Sequence, residues 1–245
     1  MKKLKFLLLI PLLLVGACSG KNKLNDRHLI IGCSPTPHAV ILKAAAPLFK
    51  EKGYVLELKV LNDYVTPNTL LDNGDLDANY FQHVPYLEDF NAKNGTDLTW
   101  IAKIHFEPMG IYSSKHTDLS KTYPVVAIPN DVSNGERARA LLVENNITVT
   151  EKIIEVEAQA LPSVLDDVDY AVINGNYALS AKITNKCIVT EDKNSQIAQT
   201  NANVIAVKRS SLKYEWADVI KEVMTSDEMR SVINTYFGSS VIAVF

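Results

Sequence analysis

The stretch from Asp75 to Phe90 concentrates side chains that could surround a small molecule. It reads Asp-Leu-Asp-Ala-Asn-Tyr-Phe-Gln-His-Val-Pro-Tyr-Leu-Glu-Asp-Phe, so the rings of Tyr80, Phe81, His83, Tyr86 and Phe90 fall within eleven residues. A small-molecule site combines apolar walls with a few fixed hydrogen-bonding groups, and a glutamine and a histidine supply such groups here. The same pattern is typical of a strand that leads into a helix with ordinary core aromatics. The stretch alone leaves both interpretations open.

Polar side chains also lie at the ends of other predicted strands, which is where open α/β sheets bind ligands. Tyr64 comes after the second predicted strand, Asn174 and Asn176 follow the run Asp-Tyr-Ala-Val-Ile, and Asn203 precedes the strand Val-Ile-Ala-Val. Amide side chains can donate to a carboxylate or accept from an ammonium group. For Tyr64, a loop tyrosine that covers the core is the alternative interpretation.

Arg137 is predicted in the first turn of a helix over residues 136–145, directly after Asn134 and Gly135. A helix N-terminus favours an anion through its free N–H groups and its dipole. The guanidinium group adds a planar fork that matches a carboxylate. Together with amide groups and aromatic walls, this predicts a site for a zwitterion with an apolar tail, that is, a hydrophobic amino acid. A solvated helix arginine is the alternative, and it is what we predict for Arg139.

Signals for catalysis are weak by comparison. The chain has no Gly-x-Ser-x-Gly motif and no phosphate-binding loop. Its five histidines, at 28, 38, 83, 105 and 116, show no metal-ligand spacing with cysteines or with each other. We therefore expect that this protein is not an enzyme and that it binds no metal and no cofactor. A hydrolase that uses His83 as its base is the rival hypothesis, although no nucleophile is paired with that histidine in the sequence.

Composition and the N-terminus predict an exported globular protein. The 245 residues are 47% hydrophobic and 22% charged, with a formal net charge of −3 and no basic run that would indicate nucleic-acid binding. Residues 1–17 have a lysine-rich start and a short apolar run, as in a signal peptide. The sequence Leu-Val-Gly-Ala-Cys18 resembles a bacterial lipobox, which implies cleavage before Cys18 and its lipidation. An ordinary signal peptide with a chance cysteine is the alternative.

The order of predicted elements indicates an α/β fold with two lobes. The polar segment over residues 18–27 is predicted as a tether, and a strand, a helix and a strand then form a β-α-β unit with a parallel sheet. A second such series begins near Tyr123. Two crossings divide the chain into a first lobe over 28–114 plus 204–245 and a second lobe over 115–203, with a cleft between them. The final two helices are predicted to return to the first lobe.

Two cysteines remain besides Cys18. Cys33 ends the first predicted strand, whereas Cys187 lies late in the other lobe. We predict two buried free thiols, which behave as small hydrophobic side chains. A disulfide between them is the alternative.

Taken together, the chain resembles the methionine-binding lipoproteins, the substrate-binding components of bacterial methionine ABC importers. The resemblance covers essentially all of the chain after the signal peptide. Its carrying segments are Cys33-Ser-Pro-Thr-Pro-His38, Asn62-Asp-Tyr64, Asp77-Ala-Asn-Tyr-Phe-Gln-His-Val-Pro-Tyr86, Ile128-Pro-Asn-Asp131, Leu161 with Asp166-Asp-Val-Asp169, Val172-Ile-Asn-Gly-Asn-Tyr-Ala178 and Ala202-Asn-Val-Ile-Ala206. One departure lies before the arginine, where Ser-Asn-Gly-Glu-Arg replaces the family's Thr-Asn-Glu-Gly-Arg.

The resemblance implies a type II periplasmic-binding-protein fold with methionine, L- and possibly D-, between the lobes. It implies that Tyr64, Phe81, His83 and Tyr86 surround the side chain, Arg137 holds the carboxylate, and the head group meets Asn176 and Asn203. We add Asn174, because it follows the same strand. Implied partners are an ABC permease with its ATPase and, through the lipid, a cell membrane, with the protein facing the periplasm or exterior. We expect a monomer.

Two alternatives to methionine transport stay open at this point. Relatives that bind other amino acids or a methionine-containing dipeptide leave the ligand undecided. A surface adhesion or antigen lipoprotein, whose cleft binds nothing, is the alternative of another class.

Overall fold

A computed structural model describes residues 27–147 and 152–245, which form two β-sheets with helices on their faces. The predicted signal peptide over 1–17, Cys18 and all of the tether except Arg27 lie outside the described residues. None of the helices within the described ranges has the length and apolar character needed to cross a membrane.

The described ranges contain eleven strands and eight α-helices. The strands are β1 (His28–Cys33), β2 (Val55–Val60), β3 (Ala78–His83), β4 (Leu98–Phe106), β5 (Gly110–Tyr112), β6 (Val126–Pro129), β7 (Ile153–Val156), β8 (Tyr170–Ile173), β9 (Cys187–Thr190), β10 (Asn203–Lys208) and β11 (Ile242–Ala243). The helices are α1 (His38–Glu51), α2 (Thr66–Asn73), α3 (Val84–Asn94), α4 (Val132–Glu144), α5 (Gly175–Ser180), α6 (Gln196–Thr200), α7 (Glu215–Met224) and α8 (Asp227–Phe237).

The first sheet has the strand order β11-β4-β10-β3-β1-β2. Strands β2, β1 and β3 run parallel, as the predicted β-α-β unit requires, whereas β10 runs antiparallel between β3 and β4. Every residue of β3 is buried, because helices cover both faces of the sheet at that strand. Helices α7 and α8 pack on α1 through Ile220, Met224 and Met229. We call this sheet and its helices α1, α2, α3, α7 and α8 the first lobe.

The second sheet has the order β7-β6-β8-β5-β9, and we call it with α4 and α5 the second lobe. Its parallel centre, β7, β6 and β8, is flanked by the antiparallel pairings of β5 with β8 and β9. Two apolar clusters cover its faces. One lies under α4 at Leu141 and Leu142, and the other lies under a 3-10 helix at Leu161. The predicted α/β architecture with two lobes is confirmed.

Strand β5 corrects one predicted boundary. The sequence placed residues 28–114 in the first lobe, but Gly110–Tyr112 pairs within the second sheet. The chain therefore crosses between lobes over residues 107–109 and returns over 191–202, just before β10. The error arises because three residues carry no periodic signal, and only pairing with distant strands assigns them to a sheet.

Helix α4 begins four residues earlier than predicted, which changes the position of Arg137. Asp131 is the N-cap, and its side chain accepts a hydrogen bond from the Asn134 N–H at 2.9 Å. Arg137 is thus in the second turn, so the free N–H groups of the helix start do not lie beside it. Gly135 fits here closely, since a Cβ atom would lie 3.0 Å from the carbonyl oxygen of Pro129.

Two smaller predictions also need correction. The helix predicted over 160–168 is a 3-10 helix over Ala158–Val164. Cys33 and Cys187 are both free thiols, but only Cys33 is buried and Cys187 is half-buried. Burial raises the pKa of the Cys33 thiol to about 12, so this group stays protonated and behaves as a core side chain.

Candidate functional site

One cavity between the lobes collects all eight side chains that the sequence singled out. The space between its walls is about 330 Å³ when the part that is open to solvent is included. The predicted residues that line it are Tyr64, Phe81, His83, Tyr86, Arg137, Asn174, Asn176 and Asn203. Four further residues line the same cavity: Gln82, Glu107, Asn134 and Gly175. Gln82 was among the polar groups predicted for the site, and the other three were not.

Strand register brings these distant residues together. Asn203, the first residue of β10, pairs with His83 at the end of β3 and with His105 near the end of β4. Glu107 follows on the first crossing, and Asn174 follows β8 in the second lobe. The cavity therefore lies at the carboxyl ends of parallel strands, as in other α/β folds.

Three rings form an apolar wall on the first-lobe side. The ring centroid of Tyr64 lies 5.8 Å from that of Phe81 and 5.7 Å from that of Tyr86. The centroid of a fourth ring, Tyr177, lies 5.0 Å from that of Tyr64. The Tyr86 hydroxyl donates to the Tyr64 carbonyl oxygen at 3.0 Å, which fixes the wall. Such a wall can hold an apolar or thioether side chain, because aromatic rings offer large area and favourable sulfur contacts.

Gln82 lines the cavity, but its side-chain amide is hydrogen-bonded to other buried side chains. Its amide exchanges two hydrogen bonds with Asn68, at 2.8 and 2.7 Å, and donates to Asn79 at 3.0 Å. All three side chains are buried. Gln82 therefore holds α2 against β3 and offers no free polar group to the cavity.

Hydrogen bonds join the two lobes across the cavity. The Tyr64 hydroxyl donates to Asn176 Oδ1 at 2.7 Å, and the Tyr177 hydroxyl donates to the Asn62 carbonyl oxygen at 3.0 Å. His83 Nε2 and Asn134 Oδ1 lie 3.0 Å apart. The structure is therefore that of the closed form, with the cavity enclosed by both lobes.

His83 is fixed as a neutral ring. Its Nδ1 accepts from the Tyr86 N–H at 3.3 Å as the N-cap of α3, so Nε2 carries the proton that goes to Asn134. Burial, and secondly the charge of Arg137, lower the pKa of His83 to about 3. Both nitrogens are thus engaged, and this arrangement favours a wall residue over a general base.

Arg137 is buried and already holds a carboxylate of the protein. Its Nε donates to Glu191 Oε1 at 2.7 Å, and its Nη2 donates to Glu191 Oε2 at 2.5 Å and to the Glu107 carbonyl oxygen at 3.0 Å. Among the described residues, no partner takes the N–H groups of Nη1. The guanidinium charge is balanced by Glu191, but Arg137 lines the cavity and its two Nη1 donors remain available to a ligand.

A chain of buried side chains runs behind the cavity. The Tyr80 hydroxyl binds His105 Nδ1, and His105 Nε2 lies 2.6 Å from Glu107 Oε1. His38 Nε2 lies 2.9 Å from Asn203 Oδ1 and 3.5 Å from Glu107 Oε1. Burial lowers the pKa of His38 to about 4 and of His105 to about 3, so both rings are neutral.

Within the described ranges, the donor atoms of His38, His105 and Glu107 lie within 4.8 Å of one another, close enough to surround a cation. The 2.6 Å separation of His105 Nε2 and Glu107 Oε1 is a hydrogen-bond distance. Two ligands of one tetrahedral zinc ion would stand roughly 3.3 Å apart, given metal–nitrogen bonds of about 2.0 Å. We therefore interpret the three side chains as a hydrogen-bonded chain.

The cavity's remaining polar groups divide into donors and acceptors. Asn176 Oδ1 accepts a hydrogen bond from the Tyr64 hydroxyl, and Asn203 Oδ1 accepts one from His38 Nε2. The amide NH₂ group of each asparagine is therefore available to another partner. Three buried side-chain atoms have no hydrogen-bond partner among the described residues, namely Glu107 Oε2, Asn174 Oδ1 and His38 Nδ1, and the first two belong to residues that line the cavity. A cavity lined by both donors and acceptors that have no partner suits a molecule with an anionic and a cationic end.

Comparison with known proteins matches this chain to one family. The family model described as NlpA lipoprotein matches residues 29–152 and 143–245. The methionine-binding lipoprotein MetQ of Bacillus subtilis (strain 168) is 32% identical, with 100% of this chain and 99% of the relative covered.

Two solved structures extend the match to three dimensions. A nutrient binding protein from Burkholderia cenocepacia bound to methionine shares 33% identity and a TM-score of 0.83, with 89% of this chain and 100% of that chain covered. An ABC transporter, periplasmic substrate-binding protein from Coxiella burnetii shares 31% identity and a TM-score of 0.81, with 88% and 100% covered. Sequence and fold agree over almost the whole length, and this chain therefore belongs to the NlpA lipoprotein family.

Proposed function

We propose that this protein is a lipid-anchored solute-binding protein of an ABC importer, which binds methionine between its lobes and delivers it to a membrane permease with its ATPase. The observation that carries the proposal is the cavity between the lobes, which is lined by free donors, free acceptors and an aromatic wall. The names of the MetQ relative and of the two solved structures support the ligand class and the transport role.

Each group in the cavity has a role in this proposal. The Nη1 donors of Arg137 and the amide NH₂ groups of Asn176 and Asn203 hold the α-carboxylate. The rings of Tyr64, Phe81 and Tyr86 contact the thioether side chain, since soft sulfur packs well against aromatic rings. His83 and Asn174 complete the walls. The ligand thus bridges both lobes and stabilises the closed form, and a permease can distinguish that form from the open one.

The same geometry supports binding without covalent chemistry. His83 has both ring nitrogens in hydrogen bonds and a pKa of about 3, so it is a poor proton acceptor at neutral pH. The hydrolase hypothesis needed that histidine as its base. Incubation with dipeptides, followed by analysis for free amino acids, separates the two functions, since turnover would support an enzyme and unchanged substrate supports a receptor.

Native mass spectrometry of the purified protein tests the ligand directly. A solute-binding protein that closes around its ligand retains it during purification, so the native mass should exceed the denatured mass by one amino acid. The difference identifies methionine, another amino acid or a methionine-containing dipeptide by weight. If native and denatured masses agree and no amino acid binds on addition, the surface-adhesion hypothesis is favoured instead.

Gly175→Ala is expected to weaken methionine binding by roughly tenfold or more. A Cβ atom there would lie 3.0 Å from Glu107 Cβ and 3.1 Å from the Pro108 carbonyl oxygen, so α5 must move away from the first crossing. Overpacking of this kind typically costs about 1–3 kcal/mol. Calorimetric titration measures the change, and Gly175→Val should be worse than alanine. Equal affinity of all three proteins would show that this close approach does not shape the cavity.

Cys18→Ala is expected to release the protein from membranes without changing its affinity for methionine. Cys18 precedes the first strand, and among the described residues the lining of the cavity begins at Tyr64. Fractionation of cells into membrane and soluble extracts measures the first effect, and titration of the released protein measures the second. Retention of Cys18→Ala in salt-washed membranes would contradict the lipobox assignment and the proposed location at a cell membrane, facing the periplasm or exterior.

A further inference from the structure

We propose that an acidic groove between helices α3 and α4 docks the permease, and that it receives a segment with basic and apolar side chains. This inference rests on the proposed function and deepens it, because it names the surface that the permease binds and the chemistry of the binding segment. The groove lies outside the ligand cavity, so its role can be tested apart from ligand binding.

The groove crosses the boundary between the two lobes. One wall is α3 of the first lobe, the other is α4 of the second lobe, and the two helices are in contact. Residues three and four apart lie on one face of a helix, and the lining residues of each wall have this spacing. Those that carry the argument are Pro85, Glu88 and Ala92 on α3, and Val132, Glu136 and Ala140 on α4.

Apolar side chains are exposed on both walls. Ala92 on α3 and Ala140 on α4 are exposed, and Val132 at the start of α4 has 48% of its surface exposed. Ile197 of α6 is half-buried and lines the same groove. Small side chains on both helices leave room for larger side chains of a partner. Grooves of this kind bind amphipathic segments through their apolar face.

The charge of the groove is negative. Glu88 and Glu136 are exposed acids, one on each wall, and no described residue forms an ion pair with either. Arg137 is the one positively charged residue among the described residues of the lining, and it is already paired with Glu191. Complementary charge on a partner is therefore basic, from lysine or arginine side chains next to the apolar ones.

Two other occupants fit this charge poorly. A second copy of the chain has a formal net charge of −3, so it would bring an excess of acid to an acidic surface. A membrane surface rich in anionic lipids is repelled by exposed carboxylates for the same reason. The permease is the partner in the proposed function that must distinguish the closed form from the open one, and a groove with one wall from each lobe offers that distinction.

The groove is coupled to the ligand cavity through the starts of both helices. His83 is the N-cap of α3, and its Nε2 lies 3.0 Å from Oδ1 of Asn134 in the first turn of α4. Arg137 lines both the cavity and the groove. A ligand that holds these residues therefore holds the two outer walls at a fixed separation. Rotation of the lobes changes that separation, so the groove has this shape only in the closed form.

The test reverses the two exposed acids and measures docking apart from ligand binding. Glu88→Lys with Glu136→Lys is produced as the full chain in cells whose own copy of the gene is deleted. The matched control is Glu51→Lys with Glu144→Lys, which makes the same change of charge at exposed acids on α1 and α4, where both helices end. Uptake of labelled methionine, divided by the amount of the protein in the membrane fraction, measures docking. Calorimetric titration of the purified proteins measures affinity.

We expect the groove variant to lower methionine uptake about tenfold or more and to change methionine affinity by less than about threefold. The control should change neither quantity. Ala92→Trp fills the groove without a change of charge, so it should also lower uptake while affinity stays within about threefold of wild type. These results together would support docking at this groove through both its charge and its shape.

The other outcomes overturn the assignment in distinguishable ways. Wild-type uptake by the groove variant would show that the permease binds elsewhere. Equal losses for the groove variant and the control would show an effect of overall charge. Weaker methionine binding by the groove variant, beyond about threefold, would show that the acids act on the ligand cavity. If the wild-type protein neither binds methionine nor supports its uptake, the proposed function fails, and the assignment fails with it.

Discussion

Arg137→Ala is expected to lower methionine affinity by about two to three and a half decades. The change removes the Nη1 donors and leaves the buried carboxylate of Glu191 without its counter-charge. Breaking one side of a buried charge pair typically costs about 3–5 kcal/mol. The broken pair with Glu191 also destabilises the fold, so affinity and the free energy of unfolding must both be measured, by calorimetric titration and by denaturant unfolding.

Three further variants serve as comparisons for the Arg137→Ala result. Arg139→Ala should cost little, because Arg139 is exposed and its pair with Glu155 at 2.5 Å is a surface ion pair. Arg137→Lys should recover only part of the affinity, since a point charge cannot reproduce the planar fork. The double variant Arg137→Ala with Glu191→Ala should regain stability but not affinity. If Arg139→Ala weakens binding more than Arg137→Ala does, the site built on α4 is wrong.

Phe81→Ala is expected to lower the free energy of unfolding by about 3–5 kcal/mol. Phe81 is 2% exposed and belongs to a cluster with Leu71, Leu87 and Tyr86, so truncation leaves a cavity beneath the aromatic wall. Denaturant unfolding without ligand measures this effect. Methionine affinity should fall as well, because the same ring lines the ligand cavity.

Tyr236→Ala is the matched control for that change. Tyr236 is an aromatic residue on α8 with 64% of its surface exposed, and it is far from the cavity lining in the sequence and in the fold. A surface substitution of this kind typically changes stability by no more than about 0.5 kcal/mol. A similar loss for both variants would mean that Phe81 contributes no special packing to the wall.

The elements of the fold were predictable where their pattern is local. The runs Leu29–Cys33 and Tyr54–Val60 and the helix between them follow from apolar periodicity and from Gly53 at the turn. The start of α4 was not predictable in this way, because Ser133, Asn134 and Gly135 are typical of a loop. Asp131 caps the helix before them, and burial of Ala138 and Leu141 stabilises it despite those residues.

The candidate site was predictable only in part, for a physical reason. Strand-end aromatics and amides lie where the topology of an α/β sheet places ligands. The local sequence was therefore sufficient to predict that Tyr64, Phe81 and Asn174 line the cavity. Glu107 and Glu191 were missed because their partners, such as Arg137, are 30 and 54 positions away. A lone acid in a strand or loop resembles an exposed one, and only tertiary pairing shows that it is buried.

Calorimetric titration of L-methionine into protein that has been unfolded, dialysed free of ligand and refolded tests the central claim most directly. The account predicts one binding site per chain and saturation by methionine. It also predicts much weaker binding of the α-hydroxy analogue, which lacks the ammonium group, and of methioninol, which lacks the carboxylate. Binding of neither methionine nor any other amino acid or methionine-containing dipeptide by refolded protein would contradict the account.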